Sequence, residues 1–218
     1  MKVGYYFSHA NISEGGIYQY AIYILKMLAH ADEVDQLYLF YSKDQKGILK
    51  DYINNPKVKM VVHDRKGFLY KLFTQLSSFF ITRYYLTARH KPILIKLYKF
   101  FHPDQYFFNR YPLQALQFPR QLAPVYHLKY PVITTMHDLQ QLYFPEFFTP
   151  QERMYKAISY YQALYESDHV LVSYEHVKKD IVKYFRLNPD KISVCMDPMT
   201  EDWFYEDEFP NGESIREK

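Results

Sequence analysis

What the sequence lacks narrows it first. Its 218 residues hold one cysteine, Cys195, so no internal disulfide can form and the scaffold is not one stapled by covalent cross-links. Cys195 falls in the apolar run 192–196, where a buried strand position is expected. No uninterrupted apolar stretch approaches the roughly 18 residues that a membrane-spanning helix needs. The residues ahead of the polar Ser8-His9-Ala10-Asn11 are too few for the apolar core of a secretory leader. These absences together give the expectation of a cytoplasmic protein. Glycine numbers only six, and none falls in G-x-G-x-x-G or G-x-x-x-x-G-K-[ST], which disfavours dinucleotide and P-loop chemistry. There is no H-E-x-x-H, paired cysteine or D-x-D run to hold a metal, and no G-x-S-x-G nucleophile elbow. The expectation is therefore of no metal and no cofactor.

Acidic residues are scarce in one place only. Residues 1–64 carry seven basic and seven acidic side chains, residues 65–137 eleven basic against Asp104 alone, and residues 138–218 nine basic and sixteen acidic, so net charges of 0, +10 and −7 underlie the overall +3. Between Arg65 and Pro103 this basic charge is interleaved with aromatic residues: Lys71, Arg83, Arg89, Lys96 and Lys99 lie among Phe68, Phe73, Phe79, Phe80, Tyr84, Tyr85, Phe100 and Phe101. Such a stretch can lie on an anionic membrane surface, or it can be two core helices whose outer faces are basic. Nucleic acid is the weaker partner, because no recognised binding signature accompanies the charge.

With 48% hydrophobic residues the chain can bury a sizeable core. Residues 2–7 read as an opening strand. Ile17, Tyr20, Ala21, Ile24 and Leu28 recur at helical spacing, which predicts an amphipathic helix over 17–30. Strands follow at 36–41 and 58–62, with a helix at 45–54 between them stopped before Pro56. Residues 68–101 are helical in tendency and broken by Pro92. A fourth strand is expected at 105–109. Residues 110–131, with prolines at 112, 119, 124 and 131, read as an irregular excursion over the sheet edge. A fifth strand at 132–136 ends in His137-Asp138. A helix over 151–167 is expected to bury Met154, Ile158, Tyr161 and Tyr165. A sixth strand, 169–172, ends at Ser173, a plausible N-cap for a helix carrying Val177, Ile181, Tyr184 and Phe185. A seventh strand follows at 192–196. The fold class is thus α/β, a doubly wound, mainly parallel seven-stranded Rossmann-like sheet whose ligand loops share one edge. Residues 197–218 are acidic and polar and read as a linker.

The polar strand tips are the candidate site. Gly15-Gly16 precedes the first helix, where bare backbone and a helix N-terminus suit a phosphate or a sugar hydroxyl, although two glycines also simply make a tight turn. His137 can donate to a bound hydroxyl or phosphate or exchange a proton with it. Asp138 is either a substrate contact or a turn stabiliser.

In this order the pieces resemble the N-terminal domain of GT-B glycosyltransferases, specifically glycosyltransferase family 4. The resemblance rests on the opening strand, Gly15-Gly16-Ile17-Tyr18-Gln19-Tyr20, Thr134-Thr135-Met136-His137-Asp138-Leu139 with Phe144-Pro145-Glu146, Ser167-Asp168-His169-Val170-Leu171-Val172-Ser173, Lys179-Asp180-Ile181, Lys191-Ile192-Ser193-Val194 and Trp203-Phe204. It covers residues 1–204, with 205–218 as the start of an interdomain linker. It implies a retaining enzyme that moves a sugar from a nucleotide-sugar donor to a glycan or lipid-linked acceptor. By position, His137 takes the catalytic role, and Gly15, Gly16, Asp138 and Ser173 take substrate-binding roles. The family's second Rossmann-like domain, which holds the nucleotide sugar, is expected to lie beyond this sequence, leaving an acceptor-side half inactive by itself. A carbohydrate-binding or membrane-docking module without enzymatic activity is the competing reading.

Overall fold

The alternation of strands and helices closes into a single sheet of seven parallel strands in the computed structural model, which describes residues 1–7, 15–64, 66–87 and 91–196. Strand β1 (Lys2–Tyr6) leads to α1 (Gly16–His30), β2 (Gln36–Tyr41) and β3 (Val58–Val62). A helical hairpin, α2 (Phe68–Leu86) and α3 (Pro92–Phe101), precedes the short α4 (Pro103–Asn109). Then come β4 (Ala115–Phe118), β5 (Val132–Met136), α5 (Gln140–Tyr143), α6 (Pro150–Glu166), β6 (His169–Val172), α7 (Glu175–Phe185) and β7 (Ile192–Val194). The strand order is β3-β2-β1-β4-β5-β6-β7. The order reverses direction between β1 and β4, and in a parallel sheet that reversal opens a crevice outside the carboxyl ends of the strands.

Both faces of the sheet are covered, so its strands are apolar on both sides. Tyr5, Phe7, Leu37 and Leu39 pack with Leu25 of α1, while Phe40, Leu116 and Phe118 pack with Phe108 of α4 and Leu164 of α6. Gly4 is needed where the second layer closes on β1. A Cβ there would lie 2.6 Å from Leu113 Cδ1 and 2.7 Å from Leu116 Cδ1. Tyr5 reaches the other way and donates its hydroxyl to the Ala21 carbonyl at 2.7 Å, tying α1 to β1; its burial pushes the phenol well above the usual range.

Several expectations are corrected. Residues 105–109 are helical, in α4, and the fourth strand is Ala115–Phe118, inside the stretch read as irregular. Aromatic residues gave 105–109 a strand-like composition, but Pro103 at the first helical position and the His102 side chain accepting from Asp104 N at 3.2 Å start a helix. Residues 45–54 form two 3-10 turns, Lys43–Gly47 and Lys50–Tyr52, rather than one helix; Gly47 falls where a continuous helix would be weakest. Helix α6 has the expected period in a different phase. It buries Ser159, Tyr160, Ala163 and Leu164, whereas Met154, Ile158 and Tyr161 are exposed, because the small Ser159 and Ala163 allow the helix close to the sheet. Ser173 is not the N-cap of α7; Tyr174 holds that position without a side-chain cap bond. Cys195 is half-buried just past β7, its N–H donating to the Val172 carbonyl at 2.8 Å. Arg89, Trp203-Phe204 and the expected linker lie outside the described residues.

The basic aromatic segment forms a helical hairpin with one open face. Phe73 and Phe80 of α2 stack on Phe101 of α3. Phe68, Leu72, Leu76 and Phe79, spaced i, i+4, i+8 and i+11 on α2, are all exposed, with Leu69 beside them. Lys71, Arg83, Lys96 and Lys99 are exposed on the same hairpin. Among the described residues no helix is long and apolar enough to cross a membrane.

Candidate functional site

The reversal of strand order brings the ends of β1, β4 and β5 to one crevice. Strand β4 lies between β1 and β5, so the loops after β1 and β5 are not on adjacent strands. Helix α1 bridges the gap. Its Tyr20 ring meets the His137 ring edge-on at a centroid distance of 4.8 Å, and the Tyr20 hydroxyl lies 3.4 Å from Thr135 Oγ1. Gly16 lies about one helical turn before Tyr20, so the start of α1 lies on the His137 side of the sheet edge.

Gly15 is the N-cap of α1 at φ 56° and ψ −118°, a backbone conformation that only glycine adopts without strain. A Cβ on Gly15 or Gly16 would meet nothing within 4 Å. Gly15 is therefore set by its backbone conformation, not by tight packing. Helix α1 has no side-chain cap and no acidic residue in its first turn, so its own side chains leave the positive end of the helix uncompensated.

His137 is half-buried, with Nε2 3.1 Å from the Pro119 carbonyl. A carbonyl only accepts, so Nε2 carries the proton and the lone pair of the neutral ring falls on Nδ1. Asp138 acts locally: its Oδ1 accepts from Gln140 N at 3.3 Å at the start of α5. Ser173 is buried beneath the edge, 1% exposed. Gln117 Nε2 in β4 and Gln141 Oε1 in α5 are buried with no hydrogen-bond partner among the described residues. An unsatisfied buried polar atom costs about 1–3 kcal/mol, which water or a ligand would offset. Among the described residues, no three histidine, cysteine, aspartate or glutamate side chains cluster to hold a metal ion.

Sequence reasoning missed two parts of this site. From the sequence, Tyr20 reads only as part of the buried face of α1. The second part is a cavity of about 690 Å³ between residues 120–124 and the first turns of α6, lined among others by Arg120, Gln121, Tyr155, Lys156 and Tyr160. His137 is not among its lining residues, but one backbone segment ties the two: the Pro119 carbonyl holds His137 Nε2, and the next residue, Arg120, lines the cavity and accepts from Thr135 N at 3.1 Å. The available signal was an arginine one residue beyond the proline that ends an apolar run, Pro119-Arg120, which marks a strand tip.

No family model matches this sequence, and no curated protein matches it. Among solved structures the chain is similar to Anabaena Alr3699/HepE, whose crystal structure is of a complex with UDP and glucose, at 12% sequence identity and a TM-score of 0.47. The alignment covers 93% of this chain and 46% of that one, so the chain spans less than half the length of that structure.

Proposed function

We propose that this chain is the acceptor-side half of a retaining glycosyltransferase, moving a sugar from a nucleotide-sugar donor to a glycan or lipid-linked acceptor. The observation that carries this reading is the Tyr20–His137 contact across β4, which joins an open glycine backbone and a positioned imidazole at the reversal of strand order. The sequence resemblance to glycosyltransferase family 4 supports it. In this reading the acceptor hydroxyl lies against His137, whose orientation is set by Pro119. The N–H groups at the start of α1 face the donor phosphate. Asp138 holds the His137 loop, with Ser173 beneath it. The nucleotide is held by a second Rossmann-like domain.

The 218-residue chain, assayed with a panel of nucleotide sugars, is expected to give no acceptor-dependent nucleotide release. Fused to the donor-binding domain of a GT-B enzyme, it is expected to release nucleotide and to give a product of retained anomeric configuration by NMR. Release by the isolated chain overturns the half-enzyme assignment, and an inverted product overturns the retaining mechanism. A folded fusion without turnover for any donor sinks the transferase reading.

We also infer that the α2–α3 hairpin docks on anionic membranes. Its exposed stripe of Phe68, Leu69, Leu72, Leu76 and Phe79 is flanked by exposed cations, and each Lys or Arg near an anionic surface adds about 1 kcal/mol of attraction. The chain is expected to co-sediment with vesicles rich in phosphatidylglycerol and to release as salt is raised. Replacing Phe68 and Phe79 together by serine should cut binding severalfold. Absence of binding at low salt overturns the inference.

A further inference from the structure

The cavity between residues 120–124 and α6 is lined by two cations, Arg120 and Lys156, against one carboxylate, Glu152. Lys156 is half-buried on α6, and its ammonium donates to the Tyr160 hydroxyl at 3.0 Å and lies 5.1 Å over the Phe148 ring and 5.2 Å over the Tyr160 ring. No carboxylate among the described residues forms an ion pair with it. Glu152, one turn earlier, has its carboxylate turned to the helix start, where Thr149 N and Oγ1 both donate to Oε2 at 2.8 Å. That capping box holds the Glu152 carboxyl below its usual range, the Thr149 backbone N–H contributing most. Glu152 lines the same cavity and feels the Lys156 charge, but with that carboxylate bound to Thr149 the half-buried ammonium has only a phenol as its hydrogen-bond partner and remains an anion receptor.

Arg120 supplies a second cation on the opposite wall. Its backbone is fixed, because its carbonyl and that of Pro119 are the acceptors for Thr135 N and His137 Nε2. The cationic wall and the imidazole therefore hang from adjacent peptide groups of one segment. Along α6 the cavity-lining Tyr155 and its neighbours Met154 and Ile158 are each 63% exposed, so apolar surface runs beside the cavity together with the exposed Glu152 and Arg153.

Resting on the acceptor-half reading, we propose that the cavity between residues 120–124 and α6 binds the phosphate of a phosphate-bearing acceptor, held by Lys156 and Arg120 so that the acceptor hydroxyl reaches His137. Two cations from separate elements suit a tetrahedral dianion, and the guanidinium adds paired donors that an ammonium lacks. The phosphate belongs either to a lipid, whose chain would follow Met154 and Ile158, or to a soluble sugar phosphate.

Calorimetric titration of the 218-residue chain decides the matter with three probes: inorganic phosphate, octyl phosphate below its micellar range, and glucose 1-phosphate. Binding of phosphate and its esters is expected, weakened by added salt. Lys156→Gln should weaken each by about tenfold, a single charge-assisted hydrogen bond, and Lys156→Gln with Arg120→Gln should abolish binding at an unchanged thermal midpoint. Should the Arg120→Gln variant fold poorly, Lys156→Gln alone decides. Octyl phosphate binding much tighter than glucose 1-phosphate assigns a lipid-borne phosphate, and the reverse a soluble one. No binding of any probe, or unchanged binding in Lys156→Gln, overturns the proposal. The titration needs no donor domain, so its failure leaves the transferase reading intact, and failure of transfer leaves the anion site intact.

Discussion

On the proposed acceptor-half reading, replacing His137 by alanine in the fusion with a donor-binding domain is expected to lower kcat by about a hundredfold or more, within the range for loss of a positioned acid–base group. The reason is geometric. Its Nε2–H is committed to the Pro119 carbonyl and its ring edge to Tyr20, so the imidazole is held in one orientation with its basic nitrogen defined. The cost in stability should be small by comparison, about 1 kcal/mol for one hydrogen bond from a half-buried ring. His137→Gln separates the two roles, since its amide can still donate to the Pro119 carbonyl but has no basic nitrogen. If glutamine restores kcat, or if alanine unfolds the domain with activity per folded molecule unchanged, His137 is a structural residue. The kcat–pH profile supplies a second readout, because a limb set by an imidazole disappears in both variants.

Much of this arrangement was legible before any coordinates, for physical reasons that also explain what was missed. Strands β1, β2, β5 and β6 are buried and apolar, and each ends in a polar turn, so both their existence and their carboxyl tips could be read from the sequence. Gly15-Gly16 and His137 were found because they occupy such tips. Strand β4 was missed because Ala115–Phe118 is only four residues long and sits among prolines. Missing β4 moved the fourth strand to 105–109, which is helical. The α6 pattern gave a correct period and a wrong phase: Met154, Ile158 and Tyr161 look like a core stripe, but Ser159 and Ala163 face the sheet, a choice set by close approach rather than by hydrophobicity. Lys156 and Arg120 belong to no motif. Their meeting depends on where residues 120–124 pass α6, which is tertiary information.

Asp104→Ala is expected to destabilise the domain by about 3–5 kcal/mol, the cost of removing one partner from a buried charged network. Asp104 is the sole acidic residue of the basic middle segment, and it is 1% exposed at the start of α4. Its Oδ1 accepts from the Tyr70 hydroxyl at 3.0 Å and lies 3.1 Å from His63 Nε2, while its Oδ2 is 3.1 Å from the same hydroxyl. His63, 4% exposed, stacks on Phe107 at 4.1 Å and places Nδ1 3.3 Å from the Tyr6 hydroxyl. One carboxylate thus joins the end of β1, the end of β3, the first turn of α2 and α4, which is the root of the hairpin. Truncation strands the His63 and Tyr70 donors in an apolar setting, and each lost acceptor carries a desolvation cost. Asp104→Asn keeps one acceptor oxygen in place and should cost clearly less than alanine. Urea unfolding measures both, and hydrogen exchange should show α2 opening below the global unfolding free energy in the alanine variant, with α1 still protected. A loss under 1 kcal/mol for alanine, or an α2 as protected as in the parent, refutes the rooting role. Asp104 itself lies inward in α4, and the hairpin beyond it, within residues 66–103, carries no acidic side chain to offset its cations at an anionic surface.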